Sequence, residues 1–295
     1  MFDPDDDEAF CEYVSIRGIA RNCNHYPRDI WQDSMHFEED DYENIKENDT
    51  VFVITTVLNQ FCELILPKLG DTKFKLITGA SIRGVPREIS ELYQIDFSSL
   101  LKNNVTHWFT QNFDGTDECI RVPRGIDYHT LKRRDGPMGF MASAKSQEQS
   151  LKESAVFNFE EKINRTFSYF HFKMSKRNDQ DRQCAIDYLK EIGFNDVLMH
   201  PGFRNNLWNF MKKYKFIISP RGRSLDCNII YESILIGCVP IVKSSTLDPL
   251  YKDLPVLIVE DWSDINEELL VNYKYDNNLE KIKLNYWTDL IKRTC

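Results

Sequence analysis

No apolar run in these 295 residues approaches the roughly 20 needed to span a bilayer, so no membrane insertion is expected. The acidic start, Met1-Phe2-Asp3-Pro4-Asp5-Asp6, has no apolar core, and no secretory signal is expected there. The Asn-x-Thr triplets at Asn48, Asn104 and Asn164 are then read as chance matches to a glycosylation sequon. The eight cysteines are scattered, without a Cys-x-x-Cys pair. That argues against the common zinc and thioredoxin-like arrangements and points to reduced thiols in a cytoplasmic setting. No Gly-x-Gly-x-x-Gly follows an apolar run, which counts against a nucleotide-dependent oxidoreductase. No Asp-x-Asp closes one either; Asp179-Gln180-Asp181 falls in a polar loop, and no metal is expected. Positive charge is in deficit, with 37 Lys and Arg against 46 Asp and Glu, so non-specific nucleic-acid binding is not expected. Much of the acid lies in 3–8 and 38–43, read as a solvated N-terminal region.

Internal repeats and low-complexity tracts are absent. The length suits two domains, and 42% hydrophobic with 28% charged residues describes a globular chain. Short apolar runs alternate with helical patterns. Strands are predicted at 51–57, 74–78, 106–110 and 120–123, with a helix at 59–66. A second set of strands is predicted at 166–172, 196–200, 215–219, 240–242 and 255–259. Helices are predicted at 147–162, 181–192, 206–214, 226–237 and 279–291. This alternation implies βαβ units and parallel sheets, whose ligands sit beyond the carboxyl ends of the strands. The soft stretch 132–151 is read as a hinge, giving domains at 1–145 and 146–295 that bind different ligands across a cleft.

The turn after the 215–219 strand carries Arg221, Gly222 and Arg223, and then a helix begins. Arginine forks, a glycine allowing close approach and a helix N-terminus together suit a diphosphate. Glu232 lies inside that helix among Ile230, Ile234 and Leu235, so its carboxylate needs a partner; a ribose hydroxyl pair would satisfy both oxygens. The alternative is a loop of solvated arginines with Glu232 paired to one of them.

The block 216–262, from Phe216-Ile217-Ile218-Ser219-Pro220-Arg221-Gly222-Arg223 to Trp262, resembles the exostosin-like glycosyltransferases (family 47 type), in particular the short cytosolic versions encoded by large DNA viruses of algae that build capsid glycans. Upstream blocks fall in the same order: Tyr13-Val14-Ser15-Ile16-Arg17-Gly18-Ile19, Leu76-Ile77-Thr78-Gly79, His107-Trp108-Phe109-Thr110-Gln111-Asn112, Pro123-Arg124-Gly125-Ile126-Asp127-Tyr128-His129-Thr130 and Phe170-His171-Phe172. The resemblance implies a GT-B fold, two Rossmann-like domains facing across a cleft, with the C-terminal helix around Trp287 packing back toward the N-terminal domain. It implies inverting transfer of a sugar, with xylose expected, from a UDP-sugar to a hydroxyl of a glycan acceptor such as a viral glycoprotein N-glycan. No cofactor beyond the UDP-sugar donor is implied, and a homodimer is allowed. A catalytically silent GT-B module, serving as a glycan-binding or partner-stabilising subunit, is the competing reading.

By the same resemblance, Ser219, Arg221, Gly222 and Arg223 belong at the diphosphate and Glu232 at the ribose or donor sugar. Arg182, in the helix after the first strand of that domain, is a further phosphate contact or a surface arginine paired with Asp179 or Asp181. Lys243, Ser244 and Ser245 end the next strand and reach the donor or form a solvated loop. The chain departs from the group at Ile229, where an arginine is usual, and after Gly79, where Ala80-Ser81-Ile82-Arg83 replaces acidic residues. Inverting transfer needs a base facing the cleft. Asp114, His25, Asp127 and Asp29 are the candidates, each with a plainer role: an Asx-Gly turn for Asp114, an ordinary hydrogen bond for His25 and a turn cap for Asp127. Trp108 is the best-placed sugar-stacking tryptophan.

Overall fold

The structure is a computed structural model and describes residues 7–115, 119–128, 143–169, 181–198 and 204–294. The readings for Phe170, His171, Phe172 and Asp179, and for hinge residues 132–142, lie outside that set. Among the described residues, eleven α-helices surround two wholly parallel sheets.

The first sheet runs β1 (Thr50–Ile54), β2 (Phe74–Gly79), β3 (Val105–Thr110) and β4 (Ile120–Arg121), in that spatial order. Every residue of β1 and β2 is buried. Both faces of these strands are covered, which is why they read as continuous apolar runs rather than alternating ones. Short helices α1 (Ile16–Arg21), α2 (Leu58–Leu64), α3 (Arg87–Tyr93) and α4 (Phe97–Leu101) flank this sheet.

The second sheet contains β5 (Ile163–Ser168), β6 (Asn195–Val197), β7 (Tyr214–Ile218), β8 (Val239–Lys243) and β9 (Leu257–Val259). Its spatial order is β6-β5-β7-β8-β9. The chain therefore reverses direction across the sheet between β5 and β7, and the carboxyl ends of those two strands flank a switch-point crevice. Its helices are α5 (Ala144–Ser154), α6 (Asp181–Glu191), α7 (Arg204–Met211), α8 (Asn228–Leu235), α9 (Asp248–Tyr251) and α10 (Glu267–Asn272).

Helix α11 (Leu284–Arg293) returns to the first half. Leu284 N donates to Glu12 O and Val14 N to Ile282 O, both at 2.8 Å, and Lys75 Nζ reaches Lys292 O. One apolar core joins residues of both sheets, α8 and α11, while a second lies around Phe159, Phe216 and Trp262.

Two predicted elements are corrected. The helix expected at 147–162 stops at Ser154, because the following chain is extended and Val156 N donates to Ile236 O at the end of α8. The strand expected from 166 starts at Ile163, whose amide donates to Lys213 O at 2.8 Å. Its polar first residues, Asn164 and Arg165, hide it from a search for apolar runs.

Candidate functional site

A cleft of about 250 Å³ lies between the halves. Its walls follow the carboxyl ends of strands from both sheets: Ile82 after β2, Arg124 after β4, Tyr169 after β5, and Gly222, Arg223, Ser224, Asp226 and Cys227 after β7. The first turns of α6, α7 and α8 add Arg182, Arg204, and Asn228 with Ile229. Four arginines thus meet in one cavity of a chain whose net charge is −9. Helix α8 begins there without a side-chain cap on Cys227, so the positive pole of its dipole lies at the cleft.

The turn after β7 is fastened from below. Arg221 N donates to Asp181 Oδ2 at 2.8 Å, and Trp262 Nε1 holds the other oxygen of that carboxylate. The Arg221 guanidinium donates to the carbonyls of Lys243 and Ser244. It therefore clasps the turn to the end of β8 and is not among the residues lining the cleft. Gly222 lies against Arg182: an ideal Cβ there would overlap Nη2 and sit 2.9 Å from Cζ of that side chain. Arg223 is exposed at the cleft lip.

Glu232 is 2% exposed on the inner side of α8. Its Oε2 accepts from Trp208 Nε1 and its Oε1 from Arg204 Nη2, both at 2.8 Å. Burial pushes its carboxyl above the usual range, outweighing the attraction of Arg204. The partner demanded by a carboxylate at this depth is thus Arg204, which Glu232 aims into the cleft. Arg204 occupies the cavity that Ile229 also lines, so an arginine reaches this point from α7.

The two halves are tied by a buried polar network. Asp226 is 1% exposed; its Oδ2 accepts from Arg124 N at 2.7 Å and Tyr231 OH at 2.6 Å, and its Oδ1 from Tyr251 OH at 3.1 Å. Burial raises this carboxyl too. Asn112 Oδ1 accepts from Ser224 Oγ at 2.8 Å and Asp226 N at 3.0 Å. Asn228 Nδ2 donates to Gly125 O, Arg124 Nε to Asn228 Oδ1, and the Arg124 terminus to Gln32 Oε1. Gly125 is left-handed at φ 69°, and its chain packs so closely on Val14 that a Cβ would overlap Val14 O.

The remaining sequence candidates fall outside the cleft or on its rim. Ser219 is buried and its amide donates to Ile241 O. Lys243 Nζ pairs with Asp261 at 2.8 Å, and this bond leads the causes that hold the Asp261 carboxyl down at about 2. Ser244 Oγ donates to Asp248 Oδ2, and Ser245 N to Asp248 Oδ1. His25 Nε2 lies 2.9 Å from Asp49 Oδ2 beside the amino end of β1, the end opposite the cleft. Asp29 is exposed. Asp114 accepts from the amides of Arg87 and Glu88, both at 2.8 Å, and so caps α3. Trp108 is not a stacking platform: it is buried, and its indole N–H donates to Thr78 Oγ1 at 2.9 Å. Asp127 stands half-buried on a smaller cavity beside the cleft.

No protein-family model and no curated protein matches the chain. The arrangement defines a two-sheet α/β protein with an arginine-rich cleft at the carboxyl ends of its strands. Among the described residues, no helix is long and apolar enough to cross a membrane.

Proposed function

We propose that the protein is a glycosyltransferase of GT-B type that binds the diphosphate of a nucleotide-sugar donor in the arginine cleft. The observation that carries this reading is the meeting of Arg124, Arg182, Arg204 and Arg223 with the uncapped amino end of α8, at the switch point of the second sheet. Guanidinium forks and helix N–H groups bind phosphate oxygens, and the same charges stabilise a departing nucleoside diphosphate. The likeness of 216–262 to exostosin-like enzymes makes UDP the expected nucleotide, xylose the expected sugar, inversion the expected course and a glycan hydroxyl the expected acceptor.

The test is a thermal-shift series with UDP-, GDP- and CMP-sugars, followed by UDP-release and transfer assays with the donor that binds. A ligand at a hundred times its Kd adds about 2.7 kcal/mol to stability, a shift of several degrees. A UDP-sugar that stabilises and turns over supports the reading. Stabilisation without hydrolysis or transfer would favour the silent binding module. A chain whose melting responds to no nucleotide sugar would overturn both.

A further inference from the structure

A second cavity of about 60 Å³ opens beside the arginine cleft, and Gln32, Arg124 and Asn228 wall both. A hollow of this size admits a hydroxyl-sized group. Its other walls include Glu8, Ser15, Arg17 and Asp127, all from the first half.

Glu8 and Asp127 therefore share this hollow with Arg17 and Arg124, against apolar walls that include Ile16, Ile30 and Ile126. Glu8 is 4% exposed. Its Oε2 accepts from Ser15 Oγ at 2.6 Å, and its Oε1 lies 3.4 Å from Arg17 Nε. Ser15 Oγ accepts in turn from Gly18 N at 2.9 Å, so the amino end of α1 fixes the serine that fixes Glu8. A Cβ on Gly18 would come within 2.9 Å of Glu8 O, so the segment has no room to shift. Arg17 Nη1 is buried with no hydrogen-bond partner among the described residues, which leaves a donor for an incoming oxygen. Burial holds the Glu8 carboxyl above its usual range, and the charge of Asp127 adds to this. Among the described residues, the charged groups around Asp127 include Glu8, Arg17 and Arg124 in the wall, with the charge of Glu232 felt from α8.

We propose that this hollow is the acceptor subsite: it takes a neutral carbohydrate hydroxyl, Asp127 is the base that removes its proton, and Glu8 is a positioning residue that keeps the site acidic. The proposal rests on the glycosyl-transfer reading. The acceptor oxygen forms a bond to the anomeric carbon. The bond from that carbon to the diphosphate oxygen breaks, its electron pair leaving with the nucleotide toward the arginines. The acceptor proton passes to the Asp127 carboxylate and then to solvent. A nucleophile must enter on the face away from the leaving group, and the hollow adjoins the arginine cleft through the wall of Gln32, Arg124 and Asn228.

The experiment uses full-length wild type, Asp127→Asn, Asp127→Glu and Glu8→Gln, with UDP affinity read by calorimetry and transfer by product formation. Asp127→Asn is expected to keep UDP affinity within about threefold while kcat for transfer falls roughly 10²- to 10⁴-fold, and Asp127→Glu restores part of it. Glu8→Gln is expected to lower kcat about tenfold and move the acid limb of the pH–rate profile to lower pH, because a negative neighbour of the base is gone. Normal UDP binding with transfer by Asp127→Asn within about threefold of wild type overturns the acceptor subsite alone. A wild-type chain that binds no nucleotide sugar overturns the glycosyltransferase reading and this proposal with it.

Discussion

Gly222→Ala separates the role of Arg182 from that of the turn. The added methyl overlaps Arg182 Nη2 and comes within 2.9 Å of Cζ, so the guanidinium must swing out of its place in the cleft. The group displaced is the far end of a flexible side chain, and the fold absorbs the change. Removing a glycine also narrows the unfolded ensemble, so stability should stay within about 1 kcal/mol of wild type. A charge-assisted hydrogen bond to phosphate is worth about 1.5–3 kcal/mol, which at 1.4 kcal/mol per decade weakens UDP binding about ten- to hundredfold. Calorimetric titration with UDP measures the loss, and a melt confirms the fold. Arg182→Ala should give the same loss. The double variant should lose no more than either, since both changes remove one contact. A Gly222→Ala isotherm that overlays wild type, or losses that add in the double variant, would refute the assignment of Arg182 to the diphosphate.

Three further outcomes follow from the packing. Asp226→Ala strands the Arg124 amide and the hydroxyls of Tyr231 and Tyr251, and should cost about 3–5 kcal/mol in urea unfolding, with Asp226→Asn costing less. Gly125→Ala forces a side chain onto a left-handed residue and into the Val14 backbone, and should cost about 2–5 kcal/mol by the same measurement. For Glu8 the folded carboxyl is raised above its unfolded value of 4.5. Its contribution to stability is therefore full below pH 4.5 and is lost as pH rises through the folded value. Glutamine does not titrate, so the melting temperature of Glu8→Gln relative to wild type should climb from pH 4.5 upward, and a pH-independent difference would count against burial as the cause.

The strands most legible in the sequence are those covered on both faces. Val51–Ile54 and Phe216–Ile218 announce themselves because every residue in them is apolar and buried. Helices α3 and α4 were not legible: each is a short link whose start depends on tertiary capping or a local Asp96 cap rather than on a long apolar stripe. At the site, Gly222 and Arg223 could be read from a glycine turn after a strand, and Arg182 is expected only from the resemblance to exostosin-like enzymes. Arg124, Arg204, Asn228 and Glu8 could not, because only the crossing order of the strands brings four distant stretches together. Arg124 did carry one local signal, the following Gly125, whose left-handed turn sets the arginine on the cleft wall. The depth of Glu232 correctly demanded a partner, yet the register of α7 against α8, which supplies Arg204 and Trp208, leaves no trace in the local pattern.

Arg124 and Asn228 form a wall common to two cavities, and each holds the other through Nε and Oδ1 at 2.9 Å. A shared wall makes the two occupants thermodynamic partners. Whatever factor a ligand on the arginine side imposes on affinity in the smaller hollow, an occupant of the hollow must return the same factor to the arginine side. Weakening the bond between this pair of side chains should therefore uncouple the two binding events without abolishing either.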